Sequence, residues 1–95
     1  MKIEGKLKAK MDTQRVSDRF QKREFIITIE SEDGHDPQHV SFQLQQDKCS
    51  IINDILIGTD VSVEFELRGR EWEAPQGVKY FNTLLAWTVI PVNTK

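Results

Sequence analysis

The sequence predicts an all-β domain with one short helix, and three observations carry that prediction. Five segments alternate apolar and polar residues with the period of two of a half-buried strand. One segment between the third and fourth switches to a helical spacing. Glycine, proline and acidic clusters mark the boundaries. With 95 residues, 38% apolar and 29% charged, the chain reads as one domain over 1–95. It has enough core to fold without disulfides or metal.

The first strand runs from Lys2 to Met11. Ile3, Gly5, Leu7, Ala9 and Met11 share one face, and Lys2, Glu4, Lys6, Lys8 and Lys10 the other. Gly5 inside a strand predicts the bend or bulge that a closing barrel needs. Two readings fit the four lysines: they track a phosphate backbone, or they keep the strand soluble and guard an edge. Asp12 to Gln21 breaks the period and reads as a loop. It carries Arg15, Arg19 and Phe20, with Lys22 and Arg23 just after. Phe20 either meets a ligand or folds back over the barrel end.

The second strand, Arg23 to Glu30, turns Phe25, Ile27 and Ile29 inward and leaves Ile26 outward. An acidic turn around Asp33-Gly34 leads to a third strand at Val40 to Gln45. From Asp47 to Leu56 the stripe Ile51, Ile52, Ile55, Leu56 predicts a helix, with Asp47 as its N-cap and Gly58 as its stop. Cys49 near the helix start invites a lowered thiol pKa, but with no base beside it the residue reads as packing. Val61 to Arg68 is the fourth strand. Tyr80 to Val92 is the fifth, apolar on both faces and so central or covered by a second subunit.

Three strands, a helix and two strands is the order of the OB-fold, a five-stranded partly open barrel with its helix between strands three and four. That fold binds ligands between its first and fourth loops. The first is the stretch around Arg15–Phe20 just described. The fourth is Arg68-Gly69-Arg70-Glu71-Trp72-Glu73-Ala74-Pro75-Gln76-Gly77-Val78-Lys79-Tyr80-Phe81-Asn82, read as a loop on Gly69, Pro75 and Gly77. Arg68, Arg70 and Lys79 suit phosphates, and Trp72, Tyr80 and Phe81 suit bases. The competing reading has the rings covering a barrel end and the cations as ordinary solubilising charges.

The net charge of -2 gives nucleic-acid binding no support; its distribution does. Residues 1–23 carry eight cations against three anions, 24–66 one against ten, and 67–95 four against two. A fold that joins the two basic ends would make one positive face. A single cysteine rules out an internal disulfide and fits a reducing cytoplasm. No apolar run reaches the roughly 20 residues of a membrane span, and the N-terminus lacks a signal-type apolar region.

Lys22-Arg23-Glu24-Phe25, Asp47-Lys48-Cys49, Gly58-Thr59-Asp60-Val61, Arg68-Gly69-Arg70-Glu71-Trp72 and Tyr80-Phe81-Asn82-Thr83-Leu84-Leu85-Ala86-Trp87 resemble a family of small bacterial and phage single-domain proteins. That family has no assigned function and is related to single-stranded DNA-binding proteins. The resemblance runs from about Ile3 to Val89. It implies an OB-fold and single-strand binding, with no list of contact residues. Cellular single-strand binding proteins carry a long tail ending in acidic residues that recruits partners. This chain stops at Pro91-Val92-Asn93-Thr94-Lys95, so tail-borne recruitment is not expected.

Catalysis has little to stand on, with no Gly-rich phosphate loop, Gly-x-Ser-x-Gly or Cys-x-x-Cys. His35 and His39 flank Pro37 and supply only two imidazoles, so neither a metal nor another cofactor is expected. The expectation is a binding module, not an enzyme. It takes single-stranded DNA in a sequence-tolerant way, as a phage or cellular replication accessory and a homo-oligomer. Arg15, Arg19, Lys22, Arg23, Arg68, Arg70 and Lys79 supply charge; Phe20, Trp72 and Tyr80 supply rings. The alternatives are a protein–protein assembly module and an oligosaccharide binder.

Overall fold

Phe25, Phe42 and Phe65 meet at the centre of a five-stranded closed barrel. Phe25 stacks on Phe42 at 5.5 Å, and Phe65 meets Phe42 edge-on at 5.0 Å. The computed structural model describes residues 1–31 and 36–92. Its strands are β1 (Lys2–Lys10), β2 (Gln14–Ser17), β3 (Phe20–Ile29), β4 (Gln38–Gln45), β5 (Asp60–Ala74) and β6 (Gly77–Pro91). They run in the order β1-β5-β6-β4-β3-β2, and β1 also pairs with β3, which closes the barrel. The fold is the OB-fold. Leu7, Ile27, Leu44, Val61 and Val63 complete the fully buried centre, the inward half of each alternating strand.

β1 serves two neighbours. Lys2–Lys6 pair with β5, and Lys6–Lys10 pair with β3. Gly5 sits where the strand changes partner. A Cβ there would lie 2.5 Å from Ile27 Cγ2 and 2.7 Å from the Thr28 carbonyl oxygen, so the position needs glycine for close approach. The bulge itself falls later, between Leu7 and Ala9. It shifts the phase, so Met11 is exposed and Lys10 turns partly inward. Lys10 Nζ donates to the carbonyls of Ile52, Asn53 and Ile55 at 3.3, 3.4 and 2.8 Å. Lys6 pairs with Asp60 at 3.1 Å. Of the four lysines, two therefore have intramolecular partners.

The helical expectation for Asp47 to Leu56 needs correction. The segment opens as a 3-10 helix at Gln46–Ser50 and continues as turns. Its hydrogen bonds, Ile51 to Lys48, Asn53 to Ser50 and Ile55 to Ile52, all span three residues. Three residues per turn put Cys49, Ile52 and Ile55 on one line, and these three are buried while Leu56 and Ile57 are exposed. The N-cap is Gln45, with no side-chain cap bond, in place of Asp47. Cys49 Sγ donates to the Leu44 carbonyl at 3.5 Å. Burial pushes its thiol pKa up, opposed by nearby Arg23, so the residue packs and its pKa is not lowered.

The two expected loops also contain strands. Asp12 to Gln21 holds β2, paired with the start of β3. The fifteen residues of Arg68 to Asn82 are the far end of a continuous β5–β6 hairpin, turning at Pro75-Gln76 with Ala74 opposite Gly77. Gly77 has φ +130°, which glycine adopts at little cost. Gly69 stays within β5. Aromatic and β-branched residues on both sides (Trp72, Val78, Tyr80, Phe81, Thr83) favour extended backbone. Beyond Phe65 and Leu85 these strands pair only with each other, so the hairpin extends past the barrel's ladder. The hairpin expected around Asp33-Gly34, and His35, lie outside the described residues.

Candidate nucleic-acid interface

A strand's side chains alternate between two faces, so the hairpin sorts its chemistry by register. Arg68 lies opposite Thr83, Arg70 opposite Phe81 and Trp72 opposite Lys79. Cross-strand partners share a face, which makes one face cationic and aromatic. The intervening pairs, Leu67 with Leu84, Glu71 with Tyr80 and Glu73 with Val78, make the other face acidic and apolar. Tyr80 is 74% exposed on this second face. The structure therefore does not bring it to Trp72.

The cationic face runs into the outer surface of the barrel. Gln43 of β4 is bridged to Leu85 of β6, and Lys22 of β3 lies opposite Gln45. Where they meet, a groove of about 400 Å³ is lined by Phe20, Lys22, Gln43, Gln45, Arg68, Gly69, Arg70, Phe81, Thr83 and Leu85. That volume is in the range of small-ligand sites. The groove combines two rings, three cations and a polar floor.

Local contacts fix its rim. Phe20 opens β3 after the tight turn from β2. Gln21 Nε2 donates to the Gln46 carbonyl at 3.0 Å, and Gln46 Nε2 donates back to the Arg19 carbonyl at 2.9 Å. Gln46 has φ +56°, a strained setting for a residue with a Cβ; these two bonds hold it there. On the floor, Gln45 Nε2 donates to Gln43 Oε1 at 2.7 Å. Arg68 pairs with Glu66 at 3.1 Å on the same face, both exposed. Trp72 and Phe81 touch with centroids 6.4 Å apart and planes tilted by 50°.

Phe20, Lys22, Arg68 and Arg70 thus converge on the groove, and Trp72 and Lys79 extend its face along the hairpin. Arg15 in β2 and Arg19 in the β2–β3 turn do not line it. Arg15 Nη2 donates to the Asp18 carbonyl at 3.0 Å. Arg23 is a structural tie: it donates to the Met11 carbonyl, the Cys49 carbonyl and Asn53 Oδ1 at 2.7, 3.0 and 2.6 Å. Sequence reasoning named Phe81 among the rings that suit bases but left it out of the final site set, and it missed Thr83 and Leu85 as groove residues. The signal was the two-residue turn, which fixes every cross-strand pair of the hairpin.

His39 Nδ1 is 3.0 Å from Thr28 Oγ1. Among the described residues no group of three or more His, Cys, Asp or Glu is placed to hold a metal. Among the same residues no helix is long and apolar enough to cross a membrane.

Residues 2–90 match the family model described as a domain of unknown function, DUF3127. No curated protein matches the chain. Among solved structures, the mitochondrial single-stranded DNA-binding protein Rim1 of S. cerevisiae superposes with a TM-score of 0.70 at 13% identity, covering 100% of this chain and 95% of that one. A deletion mutant of the Thermus aquaticus single-stranded DNA-binding protein superposes with a TM-score of 0.69 at 20% identity, covering 97% of this chain and 49% of that one. At these identities the likeness is one of fold.

Proposed function

The chain belongs to the DUF3127 family, and we propose that it is a single-stranded DNA-binding module. One observation carries the reading: the register of the β5–β6 hairpin and the outer face of β3 and β4 put Phe20, Lys22, Arg68, Arg70 and Phe81 around one groove. Cations attract phosphates, and flat rings stack on any base, so binding of this kind tolerates sequence. The groove is lined on both sides and is the size of a small ligand, which favours a single strand over a duplex. The fold likeness to proteins named for single-stranded DNA binding supports the same reading. The proposal includes no catalytic step and no cofactor. On this reading the protein works as a replication accessory in a reducing cytoplasm, where buried Cys49 stays a thiol.

The test is a titration of labelled oligo-dT at about 50 and 200 mM salt. Binding that weakens steeply with salt supports the proposal; no binding at the lower salt refutes it.

A second reading is protein assembly. Its observation is the opposite hairpin face, where Leu67, Val78 and Tyr80 stand 56%, 49% and 74% exposed. Exposed apolar side chains gathered on one face mark a candidate interaction surface. A homo-oligomer that covers this face leaves the cationic face free, so both readings can hold at once. Sedimentation at high micromolar protein tests it, and an 11.0 kDa monomer contradicts it.

A further inference from the structure

We infer that Trp72 and Phe81 act as one composite stacking platform for a single base, while Phe20 takes a different base across the groove. The inference rests on the single-strand reading above and concerns how its rings divide the strand.

Trp72 and Phe81 are diagonal neighbours on the cationic face, since Phe81 lies opposite Arg70 and Trp72 opposite Lys79. Diagonal aromatic side chains are within reach of each other on a sheet. A base held between two rings needs roughly parallel planes about 7 Å apart, two contact spacings of about 3.5 Å each. Here the centroids are 6.4 Å apart and the planes are tilted by 50°. The two rings therefore form a closed corner, with no slot between them. Both remain open on the outside, Trp72 at 50% and Phe81 at 45% exposure. A base resting on one ring meets the edge of the other, so removing either ring spoils the same seat.

Phe20 is on a different element and at a different place. It opens β3, beside Lys22 and Gln45, and lines the groove from the barrel side, whereas Phe81 lines it from the hairpin side. Gln46 and Gln21 hold its turn through bonds to each other and to the Arg19 carbonyl, none of them to the hairpin. Its seat is independent of the corner. The strand then passes from the barrel groove outward along the hairpin, past Arg68 and Arg70, to the corner at Trp72.

The experiment is a pair of double-mutant cycles in oligo-dT affinity, on wild type, Trp72→Ala, Phe81→Ala, Phe20→Ala, Trp72→Ala/Phe81→Ala and Trp72→Ala/Phe20→Ala. Melting curves give the folded fraction of each. Each single change is expected to weaken binding about 5- to 150-fold. Trp72→Ala/Phe81→Ala should be within about threefold of the worse single, and Trp72→Ala/Phe20→Ala should show the product of its two singles. A Trp72/Phe81 double that loses the product overturns the inference and leaves single-strand binding standing. Wild-type protein that binds no oligo-dT removes both. Trp72→Phe, which keeps a ring, should retain most of the affinity; a loss as large as that of Trp72→Ala in a folded protein also overturns the platform.

Discussion

Replacing Arg70 with alanine removes one of the three cations that line the groove with Phe20 and Phe81; Lys22 and Arg68 are the others, and Lys79 continues the face. For single strands, each neutralised phosphate adds about 0.7 to the slope of log affinity against log salt. Three to four contacts give a wild-type slope of about -2 to -3, so raising salt from about 50 to 200 mM weakens binding about 20- to 50-fold. Arg70→Ala should reduce the slope by about 0.7, so the same step costs about 7- to 20-fold. Oligonucleotides of different sequence should weaken alike, because a phosphate contact carries no base information. Arg70 is exposed on a solvated strand, so the melting temperature should hold. Fluorescence anisotropy at four salt concentrations measures the slope. An Arg70→Ala protein that keeps the wild-type slope would mean that no phosphate sits at this position.

Three further changes test other parts of the structure. Glu66→Gln frees Arg68 from its 3.1 Å exposed ion pair; a pair of this kind is worth about 0.2–1 kcal/mol, so oligo-dT should bind up to about fivefold tighter at low salt, and weaker binding would contradict the geometry. Gly5→Ala drives a Cβ against Ile27 and the Thr28 carbonyl, and since a backbone oxygen cannot rotate aside, a loss of about 1–3 kcal/mol in urea unfolding is expected; wild-type stability would refute the close approach. Arg23→Ala breaks three hydrogen bonds that tie β3 to the β1–β2 connection and to the 3-10 helix and the turns after it; it should cost about 1–2 kcal/mol of stability and leave affinity per folded molecule unchanged, whereas lost affinity in an undiminished fold would return Arg23 to the binding surface.

The barrel was legible in the sequence because a period of two needs no tertiary information: Leu7, Phe25, Ile27, Phe42, Leu44, Val61 and Val63 are inward by alternation and inward in the structure. What failed were places where two patterns compete. Ile51, Ile52, Ile55 and Leu56 match an α-helical stripe, but Cys49, Ile52 and Ile55 match a period of three, and burial chose the latter. Gly69, Pro75 and Gly77 all read as breakers, yet only Pro75 and Gly77 mark the turn. Gly69 pairs with Asn82 inside the ladder. Taking the stretch as a loop hid the sorting of its side chains, so Tyr80 was kept with Trp72 in the final site set although register separates them, and Phe81, first grouped with both, was dropped from it although register puts it beside Arg70. In the fifth strand, alternation set Ala86 and Val89 on opposite faces. A bulge opposite Glu64 and Phe65 shifts the phase at Trp87 and buries both. Arg23 and Lys10 had no distinguishing mark in the sequence, because their carbonyl partners lie 12 to 45 residues away.

The central claim is that one face of the hairpin, continuous with the barrel groove, holds the strand. A titration of ¹⁵N-labelled protein with unlabelled oligo-dT, read as backbone amide shifts, tests it residue by residue. The account predicts shifts at Phe20, Lys22, Gln43, Arg68, Arg70, Trp72 and Phe81, with smaller changes at Leu67, Glu71, Val78 and Tyr80 on the opposite face. Shifts concentrated at Tyr80, Val78 and Leu67, with Lys22 and Gln43 unmoved, would contradict it.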